Sequence, residues 1–204
     1  MTKPVILLIG GATGTGKSTV ASDVGYRLGI NRVFTTDVIR QTLRAFFDLE
    51  EMPSIHRSSF DPPPGEGLIE YFLEQTRQVL VAVEGTIARA VEESRSSVLE
   101  GVHLLPGMLD LSGLDAVVVQ CVLAIENEEA HESHFWIRDA TSQGLRPVAR
   151  YLERFQEIRR LQDFVLERAG ETGVPVIHNA NVEQTVEAVI DLVLGAEAEQ
   201  LEPV

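Results

Sequence analysis

The sequence is organised around residues 10–19, Gly-Gly-Ala-Thr-Gly-Thr-Gly-Lys-Ser-Thr. This stretch fills every fixed position of the phosphate-binding pattern G-x-x-x-x-G-K-[ST], with Gly11, Gly16, Lys17 and Ser18. An all-apolar run at 5–9 precedes it, as is typical of a strand covered on both faces. Apolar residues at helical spacing follow it. A strand, a glycine-rich turn and a helix in this order predict a P-loop that binds a nucleoside triphosphate.

The residue types in the loop predict how its ligands would be held. Glycines let the backbone N–H groups surround an anion, and the following helix contributes its positive N-terminus. In this pattern Lys17 reaches the β- and γ-phosphates, and the Ser18 hydroxyl ligates Mg²⁺. We therefore expect ATP and Mg²⁺ as ligands. The expected nucleotide-binding residues are Gly11, Thr13, Gly14, Thr15, Gly16, Lys17, Ser18 and Thr19.

Composition limits the classes of function. The chain has 204 residues and a net charge of -14, which argues against a general nucleic-acid or anionic-membrane surface. Any anionic ligand must then be held by a local basic pocket. The single cysteine, Cys121, lies in an apolar run and can form no internal disulfide. Without a signal-peptide pattern or a membrane-spanning apolar stretch, the expected location is the cytoplasm.

Short apolar runs alternate with amphipathic helices along the chain. Strands are expected at 5–9, 32–36, 97–102, 116–125 and 174–177, and the later helices at 38–47, 68–95, 126–140, 147–170 and 182–194. This alternation predicts an α/β fold in which a five-stranded parallel sheet has helices on both faces, with ligands at the carboxyl ends of the strands. The prediction is a single domain over residues 1–194 and a frayed acidic tail over 195–204.

Asp37 and Arg40 follow the second strand and share one face at the start of a helix. No N-K-x-D guanine-reading segment occurs in the chain, so a small-molecule kinase is favoured over a GTPase. Such an enzyme needs a carboxylate that orients the acceptor hydroxyl and takes its proton, and Asp37 fits that role. Arg40 would then bind an anionic group of the acceptor. The alternative is that Asp37 is only a helix N-cap paired with Arg40.

Two further groups of residues are candidates for the same edge of the sheet. Glu100 ends the third strand and is a candidate Mg²⁺ ligand, directly or through water, and a candidate substrate-binding residue, or else an exposed strand-end carboxylate. His103 either contacts the acceptor or caps its loop. His56 and Arg57 lie in the long proline-rich loop at 49–67, where they suit anion binding but also fit an ordinary polar loop.

Arginines late in the chain predict a lid. Arg146, Arg150 and Arg154 are four residues apart, and Arg138 lies upstream. Arginines that close on a transferring phosphate neutralise the charge of the transition state, which makes Arg138 and Arg146 catalytic candidates and Arg150 a substrate-binding one. The alternative is surface ion pairs, which we favour for Arg154.

Several motifs together resemble the 2-phosphoglycerate kinase family, from about residue 4 to about residue 190. They are the P-loop at 9–21, Thr-Asp-Val-Ile-Arg at 36–40, His-Arg-Ser-Ser-Phe at 56–60, Glu-Gly-Val-His-Leu-Leu-Pro-Gly at 100–107 and Arg-Tyr-Leu-Glu-Arg-Phe at 150–155. The resemblance implies a fold of the nucleoside-monophosphate-kinase type. It also implies transfer of the ATP γ-phosphate to 2-phosphoglycerate, giving 2,3-bisphosphoglycerate. On this basis Asp37 serves the acceptor hydroxyl, and Arg40, His56, Arg57 and His103 serve its anionic groups.

Other functions remain open on the same residues. One is a kinase for another small alcohol, such as an inositol phosphate or, as in zeta toxins, a nucleotide sugar. A different class is a regulatory module that binds ATP without transferring phosphate to a metabolite. Substitution of Asp37 separates the two classes, because only a kinase needs that carboxylate.

Overall fold

The computed structural model describes residues 3–141 and 147–201, without the side chains of Arg138, Thr141 and Leu201. Five parallel strands form a sheet in the order β2-β3-β1-β4-β5. They are β1 (Val5–Gly10), β2 (Val33–Thr35), β3 (Ser97–Glu100), β4 (Val117–Ala124) and β5 (Val176–His178). The predicted five-stranded parallel sheet is therefore confirmed.

Seven helices connect and cover the strands in the described part of the chain. They are α1 (Lys17–Arg27), α2 (Thr36–Phe46), α3 (Leu68–Glu92), α4 (Glu128–Thr141), α5 (Val148–Leu152), α6 (Phe155–Thr172) and α7 (Val182–Leu201). A short 3-10 helix, Pro53–His56, lies in the loop between α2 and α3. None of the helices described is both long enough and apolar enough to cross a membrane.

The central strand β1 explains why the sheet is covered on both faces. Its alternate residues Leu7 and Ile9 pack with α1 and α7, whereas Ile6 and Leu8 pack with α3. All four side chains are fully buried. Successive side chains of a strand point to opposite faces, so an uninterrupted apolar run is what two covered faces require.

The helix predicted at 147–170 is two helices, α5 and α6, which meet at Glu153 and Arg154. Arg154 leaves the helical conformation, with φ -117° and ψ 21°, and begins α6 as its N-cap. This break brings Phe155 into the core, where it is 5% exposed. Of the predicted lid arginines, Arg150 and Arg154 therefore do not lie along one continuous helix, and Arg146 lies outside the described residues.

The end of the chain also differs from prediction. Residues 195–201 continue α7 as far as Leu201 instead of fraying, and residues 202–204 lie outside the described part. Alanine, glutamate and glutamine favour helix. Ala196 packs against the core of the sheet, and Gln200 Nε2 lies 3.5 Å from the Ala116 carbonyl oxygen. These contacts hold the last turns in place.

Candidate active site

The P-loop connects β1 to α1 at the centre of the sheet. Gly11, Gly14 and Gly16 have positive φ angles of 135°, 89° and 87°, which L side chains rarely adopt. The buried Lys17 Nζ donates to the Ala12 carbonyl oxygen at 2.6 Å, inside the curve of the loop. The backbone therefore has the phosphate-cradling shape that the motif predicts.

Three side chains from other elements hold the outer side of this loop. Each donates to one of three successive loop carbonyl oxygens: His131 Nε2 to Thr13 and His134 Nδ1 to Gly14, both at 2.8 Å, and Asn179 Nδ2 to Thr15 at 2.9 Å. Because these carbonyls are engaged from outside, the loop N–H groups are left for the inner side. Burial lowers the pKa of His131 to about 4, so its imidazole is neutral at pH 7.

These three residues were not predicted from the sequence. A signal existed for the histidines, since residues three apart lie on one face of a helix. Asn179 directly follows β5, at the edge of the sheet where ligands bind. None of the three belongs to the P-loop motif, so the motif alone could not identify them.

Ser18 and Glu100 meet at the mouth of the loop. Ser18 Oγ donates to Glu100 Oε1 at 2.8 Å, and Glu100 is 5% exposed. The alternative of an exposed strand-end carboxylate is therefore wrong. A hydroxyl and a carboxylate oxygen suit Mg²⁺, which takes few protein ligands and completes its shell with phosphate and water. In the described part of the chain no cluster of three or more His, Cys, Asp or Glu side chains forms a separate metal site.

A cavity of about 410 Å³ lies over the P-loop. Six of the eight predicted nucleotide-binding residues line it: Thr13, Gly14, Gly16, Lys17, Ser18 and Thr19. Gly11 and Thr15 do not, because they are buried behind the loop, where Thr15 Oγ1 donates to the Ala12 carbonyl oxygen. The far wall of the cavity is formed by Ile137 and Val182, which are apolar.

A second cavity, of about 230 Å³, adjoins the first and is basic. Its lining includes Arg40, Arg44, Arg57, Arg150 and His56. Arg57 pairs with Asp61 at 3.1 Å, whereas Arg44 and Arg150 form no ion pair within the described residues. Burial lowers the pKa of Arg40, and the positive charges of Arg44 and Arg150 act in the same direction. The cavity therefore holds uncompensated positive charge, as an anion site requires.

Arg44 was missed in the sequence analysis, although it lies one helical turn beyond Arg40. Arg150 lines this cavity, and its Nη2 donates to Ser58 Oγ at 2.7 Å. Arg154 pairs with Asp61 and Glu157, as favoured for a surface residue. The predicted catalytic residue Arg146 lies outside the described residues, as does the side chain of Arg138.

Asp37 lines both cavities and so marks the boundary between them. Its side chain is 64% exposed, and Oδ1 lies 3.7 Å from Arg40 Nη2. It is not the helix N-cap, because Thr35 occupies that position and its Oγ1 accepts from the Val38 N–H at 3.1 Å. With the cap supplied by Thr35, the Asp37 carboxylate is left facing the two cavities.

His103 does not reach either cavity. It is fully buried, and both of its ring nitrogens form hydrogen bonds with protein side chains. The structure therefore does not support the prediction that His103 contacts the acceptor.

The sheet order, the P-loop and the paired cavities define a P-loop kinase fold. Shikimate kinase from Acinetobacter baumannii, solved with shikimate, has a TM-score of 0.56 and 18% identity and covers 98% of this chain and 97% of its own. A protein of Eubacterium ventriosum described as uncharacterized has a TM-score of 0.53 and 13% identity over 95% of this chain and 99% of its own. These likenesses show the fold.

Sequence similarity gives a narrower result. The 2-phosphoglycerate kinase of Methanopyrus kandleri is 38% identical over 199 residues, which cover 94% of this chain and 61% of that protein. The protein of the same name from Methanocaldococcus jannaschii is 36% identical over 198 residues, covering 94% of this chain and 63% of its own length. No protein-family model matches.

The chain is therefore related to the 2-phosphoglycerate kinase family over nearly its whole length, and it spans about three fifths of the length of these relatives. The family resemblance predicted from the motifs is confirmed for this part.

Proposed function

We propose that this domain transfers the γ-phosphate of Mg²⁺-bound ATP to the hydroxyl of a small phosphorylated acid. The proposed acceptor is 2-phosphoglycerate and the product 2,3-bisphosphoglycerate. The observation that carries the proposal is the position of Asp37, which lines both the P-loop cavity and the basic cavity. Relatives named 2-phosphoglycerate kinase support this choice of acceptor.

In this proposal the P-loop cavity holds ATP. The loop N–H groups and Lys17 bind the β- and γ-phosphates, and Ser18 and Glu100 hold Mg²⁺. When bound, Mg²⁺ neutralises phosphate charge that builds up during transfer. The apolar wall formed by Ile137 and Val182 suits the adenine ring.

The basic cavity holds the acceptor. A molecule with one phosphate and one carboxylate needs several cations at close range, and Arg40, Arg44, Arg57 and Arg150 supply them. The hydroxyl to be phosphorylated then lies at the boundary, beside Asp37. This arrangement explains how a chain with a net charge of -14 binds a small polyanion.

The chemical step uses Asp37 as the general base. Its carboxylate orients the acceptor hydroxyl and takes its proton as the oxygen forms a bond to the γ-phosphorus. The bond between that phosphorus and the bridging oxygen breaks, and ADP leaves. Lys17 and the arginines of the basic cavity neutralise negative charge on the phosphoryl group as it is transferred.

The first test is ADP release by the purified protein with Mg·ATP, with and without 2-phosphoglycerate. Stimulation by 2-phosphoglycerate and not by inositol monophosphates supports the proposed acceptor. Stimulation by an inositol phosphate instead would keep the kinase and replace the acceptor.

Asp37→Asn tests the reaction class. We expect a loss of turnover of at least about 100-fold, because the general base is removed, with Mg·ATP affinity close to wild type by calorimetry. Unchanged turnover in Asp37→Asn would contradict the general-base role of Asp37, whereas a wild type that binds Mg·ATP without acceptor-dependent turnover would favour an ATP-binding module. Asp61→Asn is a matched control, because Asp61 pairs with Arg57 and Arg154 and does not line the P-loop cavity.

A further inference from the structure

A buried chain of hydrogen bonds runs behind the basic cavity, and His103 is at its centre. His103 Nδ1 lies 2.8 Å from Thr36 Oγ1, and its Nε2 lies 3.0 Å from Gln75 Oε1. All three side chains are at most 1% exposed. Thr36 is the first residue of α2, and Gln75 lies in α3, so the imidazole bridges two helices.

The direction of each hydrogen bond follows from the partners of Gln75. Its Nε2 donates to the carbonyl oxygens of Ser54 and Arg57, the latter at 3.1 Å. Gln75 Oε1 is therefore the acceptor that faces His103, so His103 Nε2 carries the proton. The unprotonated Nδ1 must then accept from the Thr36 hydroxyl. Burial lowers the pKa of His103 to about 3, which is consistent with this neutral tautomer.

Both ends of the chain reach the proposed reaction site. Thr36 directly precedes Asp37, the proposed general base. At the other end, Ser54 and Arg57 belong to the loop that lines the basic cavity. Arg40 Nη1 holds the same loop by donating to the carbonyl oxygens of Ile55 at 2.8 Å and Arg57 at 2.9 Å.

The Thr36 side chain packs closely against the chain at the end of β3. A Cβ at Gly101 would overlap Thr36 Oγ1, and Gly101 has a φ of 153°. Only a glycine lets the β3 end approach the hydroxyl so closely. A buried imidazole is also a costly way to fill space, because each of its polar atoms must be paired.

We propose that His103 is a positioning residue that aligns the general base Asp37 with the acceptor-binding loop. It acts through Thr36 on one side and through Gln75 on the other. This inference rests on the proposed kinase function. This role takes the place of the direct contact between His103 and the acceptor that the sequence analysis predicted.

Two substitutions of His103 separate its two links: the one to Thr36 (the Thr36 arm) and the one through Gln75 to the acceptor-binding loop (the loop arm). His103→Gln can keep a donor toward Gln75 but loses the acceptor for Thr36, whereas His103→Asn can keep the acceptor for Thr36 but loses the donor toward Gln75. In His103→Gln we expect kcat with 2-phosphoglycerate to fall about 100-fold, as for a misplaced catalytic group, with little change in KM. In His103→Asn we expect KM for 2-phosphoglycerate to rise about 10-fold, as for one lost hydrogen bond in the site.

Thr36 provides a milder pair of variants. Thr36→Val removes the hydroxyl at constant shape and should lower kcat as His103→Gln does. Thr36→Ser keeps the hydroxyl and should retain wild-type kcat. A double variant, Thr36→Val with His103→Gln, should be no slower than His103→Gln alone, because both changes break the same link.

A purely structural role gives a different result. In that case the variants would melt at lower temperature, but the folded fraction would keep wild-type kcat and KM, and the proposal would be overturned. Wild-type kcat in Thr36→Val would overturn the Thr36 arm even if neither His103 variant folds.

Calorimetry keeps this inference separate from the proposed reaction. If the wild type shows no turnover with 2-phosphoglycerate, the proposed acceptor fails, and titration with inorganic phosphate still tests the link from His103 through Gln75 to the loop. His103→Asn should then bind phosphate about 10-fold more weakly than wild type, and equal affinity would overturn the inference. If the wild type binds neither anion, both proposals fail.

Discussion

The P-loop cavity and the basic cavity adjoin each other, but they are built in different ways. The P-loop is one continuous stretch between β1 and α1, and its shape depends on glycine φ angles and on three carbonyls held from outside. The basic cavity combines side chains from α2, the following loop, α3 and α5. The first site therefore lies on one continuous segment that α4 and Asn179 hold from outside, whereas the second is assembled only by the tertiary fold. We expect substitutions in one cavity to affect one ligand only.

Gly14→Ala has the larger expected effect of the two substitutions that compare the cavities. Gly14 has a φ of 89°, and a Cβ there would lie 2.5 Å from Phe135 and 2.9 Å from His131 Nε2. Both backbone strain and displacement of α4 would distort the loop. Affinity for Mg·ATP, measured by calorimetry, should fall about 100-fold, which corresponds to two factors of ten in binding.

Gly29→Ala is the matched control for this substitution. Gly29 also has a positive φ, 68°, but no atom lies within 4 Å of its Cβ position. The control therefore carries similar backbone strain without the collision. Equal losses of ATP affinity in the two variants would mean that the loss comes from general backbone strain and not from the collision of Gly14 with α4.

Arg150→Gln tests the basic cavity and should have a smaller effect. Arg150 lines that cavity and forms no ion pair within the described residues, so its charge is available to an anion. We expect KM for 2-phosphoglycerate to rise about 10-fold, as for one lost charge-assisted hydrogen bond. KM for ATP should not change. Arg154→Gln, four residues further on, is the control, because Arg154 pairs with Asp61 and Glu157.

The contrast between the cavities would be lost if Arg150→Gln raised KM for ATP as much as KM for the acceptor. That result would place Arg150 over the P-loop cavity as part of a lid. A rise in acceptor KM in Arg154→Gln would indicate that Asp61, and not Arg150, organises the site.

Sequence patterns predicted the sheet because its strands are short apolar runs that need two covered faces. They also placed Lys17, Ser18 and Glu100 at one edge, since the carboxyl ends of parallel strands meet there. The break at Arg154 was not predictable from periodicity, because Phe155 and Ile158 continue the apolar spacing of a single helix. The helical end of α7 was missed because its stability comes from contacts with the sheet and not from an apolar stripe.

The site was predictable only where a motif fixes it. His103 looked like a ligand because polar residues at a strand end usually face the site, but burial and two side-chain partners give it another position. Asp37 was proposed as the carboxylate beside the acceptor despite the alternative of a helix cap, and only the structure shows that Thr35 supplies the cap. Residues that act from a distant element, such as His131 and Asn179, leave no mark in the P-loop motif itself.

Acid stability compares the two regions through the free energy of unfolding and not through ligand binding. Each cavity has a neutral buried histidine behind it, His131 at the P-loop and His103 at the acceptor loop. Burial lowers the pKa of His131 from 6.5 to about 4 and that of His103 to about 3. Between pH 6.5 and these values the unfolded chain takes up protons that the folded protein does not. The free energy of unfolding must therefore fall as the pH falls.

His131→Gln isolates the contribution at the P-loop. Glutamine can still donate to the Thr13 carbonyl oxygen but cannot titrate. The stability of the wild type relative to this variant should decrease by about 1.4 kcal/mol per pH unit between pH 6 and pH 4.5 and level off below pH 4. For His103→Gln the decrease should continue to about pH 3. Urea unfolding at several pH values measures both differences. A constant difference between the wild type and His131→Gln would mean that the imidazole of His131 is protonated in the folded protein. Arg159 Nη1, which lies 3.5 Å from His131 Nδ1, could then not donate to it.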